Sequence, residues 1–375
     1  MRYYTWTVET LSPVHIGCET KLSKLDYVYD SDQGLVYVMD QRELFRGLSA
    51  CGLLEDYEMR IANGETTFSL TKFLRGAGIG TEDYAAWAQY SYPVDNVSID
   101  PGQFEIAAFV KDAYGCPYIP GSGLKGAIRT LLASDVIRQE SGRFQRTTAA
   151  LKAWMKEKCP DLKDLRSGRT EQEIFCKLKR DEKKWYAVVN DCMTGLKISD
   201  SHPLDSDALT LCQKIDLAYE GETHSINILR ECLKPGTRIT FDVTVDETHF
   251  PWDMDSILDA LDRGFDDYDA LFRGRYVEKA RDTFHLPQAP GEGAYLYLGG
   301  GTGFLHKTYL TSFFADDLDA AEITSIVLDK MFKTPKHRRF TENTGYSPKV
   351  LKCTRYHEQL YEMGLCRLIM KEKKR

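Results

Sequence analysis

Long apolar runs are missing: none of the 375 residues belongs to an uninterrupted apolar stretch of about 18, the length that marks a membrane-spanning helix. Residues 1–6, Met-Arg-Tyr-Tyr-Thr-Trp, carry neither the basic region nor the apolar core of a secretion signal. The expectation is a cytoplasmic protein with no membrane partner. Paired cysteines are missing too. The ten cysteines (18, 51, 116, 159, 176, 192, 212, 232, 353 and 366) form no Cys-x-x-Cys pair, so they read as reduced thiols used as small buried apolar residues. The eight histidines never pair as His-x-x-x-His or His-Glu-x-x-His, and no metal or other cofactor is expected. Excess positive charge is also absent. A formal net charge of −7 excludes a protein that coats nucleic acid by bulk charge, because such binding is driven by neutralising phosphates. Any nucleic-acid contact must be local.

Apolar residues make up 42% of the chain, enough for real cores, and the length suggests two or three domains at roughly 100–200 residues each. Charge is uneven. Residues 123–146 carry Lys125, Arg129, Arg138, Arg143 and Arg146 against Asp135 and Glu140, whereas 253–269 holds seven aspartates. Basic stripes on an acidic chain suit a subunit that touches both RNA and protein neighbours.

The β-branched and aromatic run 3–11 reads as an opening strand ended by Ser12-Pro13, and 25–29 with 35–39 as a hairpin. Asp40 is placed to cap a helix through Leu48. A strand is expected over 103–111, then a Gly-rich turn opening a helix over 124–139. Residues 147–184 read as a helical insertion interrupted by Pro160 and Gly168. Further strands are expected at 185–190, 195–199, 224–229, 238–245 and 294–298, with helices at 254–264 and 304–314. Interleaved strands and helices with hairpins predict an α+β fold of antiparallel sheets, divided as 1–146, 147–184 and 185–375.

Three constellations carry chemistry. Gly121-Ser122-Gly123-Leu124-Lys125-Gly126 formally matches Gly-x-Gly-x-x-Gly, but no acidic residue closes a second parallel strand about 20 positions on, and Gly126 stands where a P-loop needs Ser or Thr. What remains is phosphate binding by exposed N–H groups at a helix start, with Lys125 and Arg129 at i and i+4; a plain tight turn with two solvated cations is the alternative. The second is the cluster Gly299, Gly300, Gly301, Thr302 and Gly303, followed by His306 and Lys307. Each glycine costs about 0.5–1 kcal/mol of backbone entropy inside regular structure, so something, RNA or another protein segment, approaches this backbone closely. The third is Ser12-Pro13-Val14-His15-Ile16-Gly17 with Lys21, Lys24 and Asp26, where no local spacing forces catalytic groups together.

These three blocks, with Tyr-Ile-Pro-Gly-Ser-Gly-Leu-Lys-Gly-Ala-Ile-Arg-Thr-Leu-Leu at 118–132 the most specific, resemble the RAMP superfamily of CRISPR proteins. The likeness spans nearly the whole chain and is greatest to the fifth subunit of type III-A (Csm) effector complexes, which caps the 3′ end of the guide RNA. The resemblance implies two ferredoxin-like, RRM-related RAMP domains with the crRNA crossing the Gly-rich loops, and a non-catalytic binding role in antiviral defence. It implies RNA contact at His15, Gly17, Gly121, Ser122, Gly123, Lys125, Arg129, Gly300, Gly301, Thr302, Gly303, His306 and Lys307. It also implies partners: the backbone RAMP subunit, the small helical subunit and host nucleases that trim the guide. Gly123 stands where the family block has a second serine, removing a hydroxyl. The alternative is a metal-dependent endoribonuclease acting through Asp26, which lies where the neighbouring backbone subunit carries its cleaving aspartate; a nucleotide-binding enzyme ranks last.

Overall fold

The computed structural model describes residues 1–375 apart from 96, 99, 101, 103, 158–161, 163–167, 288–290 and 374–375. The chain runs β1 (Arg2–Thr10), β2 (Gly17–Leu22), β3 (Tyr27–Asp30) and β4 (Leu35–Met39), then four short helices α1 (Gln41–Ala50), α2 (Leu54–Ala62), α3 (Leu70–Gly76) and α4 (Thr81–Trp87). Strands β5 (Ala88–Pro93) and β6 (Ile106–Phe109) lead into the long helix α5 (Gly121–Gln139), followed by α6 (Gln145–Met155) and α7 (Gly168–Phe175). Next come β7 (Leu196–Ile198), β8 (Leu209–Ala218), β9 (Thr223–Leu233), β10 (Arg238–Val245), α8 (Met254–Tyr268), α9 (Gly274–Lys279) and β11 (Ala294–Tyr297). The chain closes with α10 (Asp317–Phe332), α11 (Lys336–Thr344), β12 (Val350–Tyr356), β13 (Gln359–Glu362) and β14 (Leu365–Glu372).

Two large sheets and one small one organise these elements into the expected α+β fold. The five-stranded sheet runs β11-β14-β1-β10-β7, the six-stranded one β13-β12-β8-β9-β6-β2, and β3-β4-β5 form the third. Pairing is antiparallel except for β6 with β9. Strand β1 shows why it sits centrally: Tyr4, Trp6 and Val8 alternate inward and are buried, the period-2 pattern of a half-buried strand. It pairs with β10 and β14, from the other end of the sequence, and both large sheets combine strands from 1–146 with strands from 185–375. One core cluster runs through both, with Trp6, Phe109, Leu124, Ile128, Phe241 and Leu368 among its members.

Several local expectations hold, and others are corrected. The Asp40 carboxylate accepts from the N–H groups of Arg42 and Glu43 and caps α1. The glycines of 121–126 lie inside α5 rather than in a turn before it. Residues 185–190 are not a strand: buried Asn190 takes the N–H groups of Arg180 and Asp181 on its side-chain oxygen and donates to the carbonyls of Asp181, Lys184 and Trp185, folding the segment into a rigid loop. Residues 304–314 form two short 3-10 turns, Leu305–Lys307 and Leu310–Phe313, instead of one helix. Gly168 begins α7, whereas Pro160 and Cys159 fall outside the described residues. Cys192, Cys212, Cys232, Cys353 and Cys366 are buried as expected, but Cys18 and Cys51 are exposed. No helix among the described residues is long and apolar enough to cross a membrane.

Candidate nucleic-acid interface

Helix α5 begins against the end of β7. A side chain at Gly121 is impossible there, since an ideal Cβ would lie 2.1 Å from the Ser199 carbonyl oxygen. The Gly121 N–H donates to Asp200 Oδ1 at 2.9 Å, so a carboxylate of the chain itself satisfies one of the helix's unpaired donors. Lys125 is half-buried and donates to the Leu196 carbonyl at 2.6 Å; burial pushes its ammonium pKa down. Arg129 bonds Glu171 Oε2 at 3.1 Å and Asp191 Oδ2 at 2.8 Å, and its guanidinium lies 3.9 Å from the centre of the Phe175 ring. Both cations therefore fasten β7, α7 and the turn at 191 to α5. Beside them Ser122, Gly123 and Gly126 are exposed, and an added Cβ at either of these glycines meets nothing within 4 Å. Inside a helix each costs about 0.8–1 kcal/mol relative to alanine, and no contact among the described residues requires it.

The other two constellations meet. His15 and Gly300 form an antiparallel bridge in which the Gly300 N–H donates to the His15 carbonyl at 2.7 Å. Gly299, at φ +85°, comes so close that its Cβ would lie 2.2 Å from that same oxygen. The segment approaching the glycine cluster is thus, at Gly299, another part of the chain. The His15 ring is buried; its Nδ1–H donates to the Glu231 carbonyl at 2.7 Å, and burial lowers its pKa, leaving it neutral. Gly17 faces the same ring, its ideal Cβ 3.0 Å from His15 Nε2. The Glu231 carboxylate is saturated by Tyr90 Oη (2.8 Å), the Phe109 N–H (2.8 Å) and Lys111 Nζ (2.5 Å), which ties β9 to β6 beneath the His15 loop. Thr302 is buried, whereas an added Cβ at Gly303 (φ +90°) meets nothing.

His306 points inward. Its ring stacks on Tyr297 with centroids 3.6 Å apart and sits 4.0 Å from Tyr268, with Nε2 3.7 Å from Glu362 Oε1. Glu362 is fully engaged by Tyr268 Oη (2.6 Å), Tyr297 Oη (2.8 Å) and Arg273 Nε (2.8 Å). Burial pushes its carboxyl up, but His306 and Arg273 outweigh that and hold it below the usual carboxylate range. This buried polar cluster fixes the turn Leu305–Lys307, and the turn and α5 together line a cavity of about 60 Å³. Lys307, next along, reaches solvent.

Asp26 accepts from the N–H and Oγ of Ser23, each at 2.7 Å, and from Gln41 Nε2 at 3.4 Å, so its carboxylate closes the turn before β3. No residue of the other constellations touches it among the described residues.

Arg230 of β9 escaped the sequence reading. Its Nη1 lies 3.1 Å from where a Gly301 Cβ would be, and no hydrogen bond or ion pair holds the guanidinium among the described residues. Lys307 is likewise unpaired, with its pKa lowered by burial and by the Arg230 charge. The expected strand 224–229 stops one residue short of Arg230. The available signal was a charged pair, Arg230-Glu231, inside an apolar strand, where alternation sends one charge to each face.

The model of the RAMP superfamily matches residues 7–305. The CRISPR system Cms protein Csm5 of Mycobacterium tuberculosis (strain CDC 1551 / Oshkosh) is 27% identical over 395 aligned positions that cover 98% of this chain and 97% of the relative. The protein of that name from Streptococcus thermophilus is 24% identical, covering 99% and 98%. Among solved structures, a chain of a type III-A Csm–crRNA–target RNA ternary complex superposes with a TM-score of 0.59 at 20% identity, over 97% of this chain and all (100%) of that one. The crystal structure of T. onnurineus Csm5 superposes with a TM-score of 0.60 at 19% identity, covering 96% and 99%. With a family match over most of its length and the same fold from end to end, the chain belongs to the RAMP superfamily.

Proposed function

We propose that this chain is a crRNA-binding subunit of the type III-A CRISPR (Csm) effector complex, capping its backbone filament at the 3′ part of the guide and supporting guide maturation. The observation that carries the reading is the junction of the His15 loop with the glycine cluster, flanked by two cations, Arg230 and Lys307, that no carboxylate of the described chain neutralises. Free cations beside exposed backbone suit a phosphate grip, which positions RNA without reading its sequence. Full-length likeness to the Csm5 proteins supports the same reading.

In this proposal RNA passes over Ser122, Gly123 and Gly126 of α5 and over Gly17, Gly300, Gly301 and Gly303, with Arg230 and Lys307 as the phosphate ligands. Gly121, Lys125, Arg129, His15, Thr302 and His306 hold that surface in place. The partners are the backbone RAMP subunit, the small helical subunit and host nucleases that trim the guide, all in the cytoplasm. The loop held by Asn190 presents Trp185, Tyr186, Val188 and Val189 to solvent, an apolar surface suited to a neighbouring subunit. In this reading the chain acts by binding rather than by cleaving, and the Asp26 carboxylate serves the turn before β3 through its hydrogen bonds with Ser23.

The test is co-purification of the tagged chain with its genomic neighbours, followed by end-sequencing of bound RNA, for wild type and Arg230→Ala/Lys307→Ala. Guide RNAs with defined 3′ ends in the wild type, depleted or ragged in the variant, support the proposal. A protein that purifies without RNA or partners overturns it, and divalent-ion-dependent cleavage lost in Asp26→Ala restores the nuclease alternative.

A further inference from the structure

The sheet face beside Arg230 continues as a line of cations. Arg230 pairs across to Cys212 of β8, and Lys214 and Asp216 follow at two-residue steps on the same strand. Lys352 of β12 sits opposite Asp216, to which it bonds at 2.9 Å, with Lys214 Nζ at 3.7 Å. One carboxylate between two lysines leaves that stretch net positive. The sheet alternation puts these side chains on the face turned away from the core residues Ile215 and Cys353.

Beyond the end of β8 the line reaches α11. Tyr219 stacks on Tyr346 at 5.6 Å and meets Phe340 of α11 edge-on at 5.8 Å, seating the α10–α11 corner against the strand end. Buried Asp329 accepts from the N–H groups of His337 (2.7 Å) and Arg338 (3.1 Å), which fixes the start of α11. The corner exposes Lys333, Lys336, Arg338 and Arg339, none with a hydrogen bond from its side chain or an ion pair among the described residues. It also exposes Phe332 (62%), whose ring lies nearly parallel to His337 at 6.0 Å. No carboxylate separates residues 330–339. Burial lowers the pKa of both Lys214 and His337; Lys352 lowers both further, against Asp216 at Lys214 and Asp329 at His337.

We infer that a second single-stranded RNA contact, made by Lys333, Lys336, Arg338, Arg339 and Phe332 at the α10–α11 corner, extends the strand held at Arg230 and Lys307 across the β8–β12 face. An exposed ring among unpaired cations supplies what a sequence-tolerant single-strand groove needs, a stacking surface and a phosphate track. In a chain of net charge −7, a cluster of exposed cations whose nearest carboxylate in sequence, Asp329, is buried and engaged by backbone N–H groups suits an anionic partner, and its position beyond the strand end that leads from the glycine-loop junction favours RNA over an acidic protein surface.

This inference rests on the RNA-binding reading above, and one titration separates the two. The full chain is titrated by fluorescence anisotropy into an unstructured labelled RNA of about 16 nucleotides, the upper range of single-strand site sizes, at several salt concentrations. Wild type, Arg338→Ala/Arg339→Ala and Arg230→Ala/Lys307→Ala are compared, with fluorescein-labelled polyglutamate as a second probe. The corner variant should bind the RNA at least fivefold more weakly and lose about 1.4 from its log–log salt slope, two phosphates at roughly 0.7 each. A corner variant equal to wild type on RNA, while the Arg230/Lys307 variant weakens, overturns the extended track and leaves the first reading standing. Loss of polyglutamate binding alone assigns the corner to a protein and also overturns it. If neither variant changes RNA affinity, both readings fail.

Discussion

Glu362 illustrates how a single buried charge organises the turn that carries Lys307. Its carboxylate is the common acceptor for Arg273, Tyr268 and Tyr297, and His306 packs over it. Glu362→Ala leaves Arg273 with Asp269 as its remaining carboxylate partner among the described residues and takes the acceptor from the buried Tyr268 and Tyr297 hydroxyls, so it should cost about 3 kcal/mol, measured by urea denaturation, with weakened RNA binding because the Lys307 turn loosens. Equal stability of variant and wild type would show that the cluster is not holding the turn. The buried histidines set a pH dependence. His15 and His306 are both held below the ordinary histidine value of about 6.5, so the unfolded chain binds more protons once the pH drops below it. Their stabilisation is complete above that value and declines as the pH falls through and below it. The denaturation midpoint should therefore drop between about pH 7.5 and about pH 5.5, and His15→Asn/His306→Asn should flatten the change.

At the scale of elements, the glycines divide into two kinds that the sequence does not distinguish. Gly299 is forced by its own chain: φ is +85° and the His15 carbonyl fills the place of a Cβ. Gly299→Ala should lower stability by 1–3 kcal/mol or more, roughly the cost of left-handed strain before the clash is counted, and a thermal melt reads it. Gly123 and Gly126 lie in helical conformation with open space outside. Gly123→Ala/Gly126→Ala should raise stability by up to about 2 kcal/mol while weakening guide RNA binding. Unchanged RNA affinity in that stabilised variant would remove α5 from the interface. The elements read best from sequence are those whose signals are local: the opening strand, the β3–β4 hairpin, the Asp40 cap and β10. Residues 185–190 misled because Trp, Tyr and two Val resemble a strand, whereas Asn190 hydrogen bonds close them into a loop.

For the whole molecule, the exposed apolar loop supplies a prediction about assembly. Val188 is 82% exposed on a loop with little freedom, so Val188→Asp should leave folding and RNA affinity unchanged while reducing recovery of neighbouring subunits in a pull-down. Full recovery of those subunits would exclude this loop from their contacts. Charge is the property where sequence and structure diverge most. Most of the basic stretch 123–146 is paired within the chain, with Arg129 on Glu171 and Asp191, Arg138 on Asp267 and, at the surface, Arg143 on Glu140. The cations on which the proposed RNA path rests come instead from β9, the turn after the glycine cluster and the α10–α11 corner.

The sequence by itself determined the α+β class, the glycine-rich segments and the resemblance that led to the family, because these depend on periodicity, local composition and contiguous motifs. Only the tertiary structure decided that β1 lies between β10 and β14, that the His15 loop closes on Gly300, and that Lys125 and Arg129 are bound internally while Arg230 is free. Strand pairing and charge pairing join residues hundreds of positions apart. The Arg230-Glu231 pair marks a charge on each face of the strand but not whether that charge stays unpaired; which cation remains for an outside phosphate depends on where the carboxylates fall after folding.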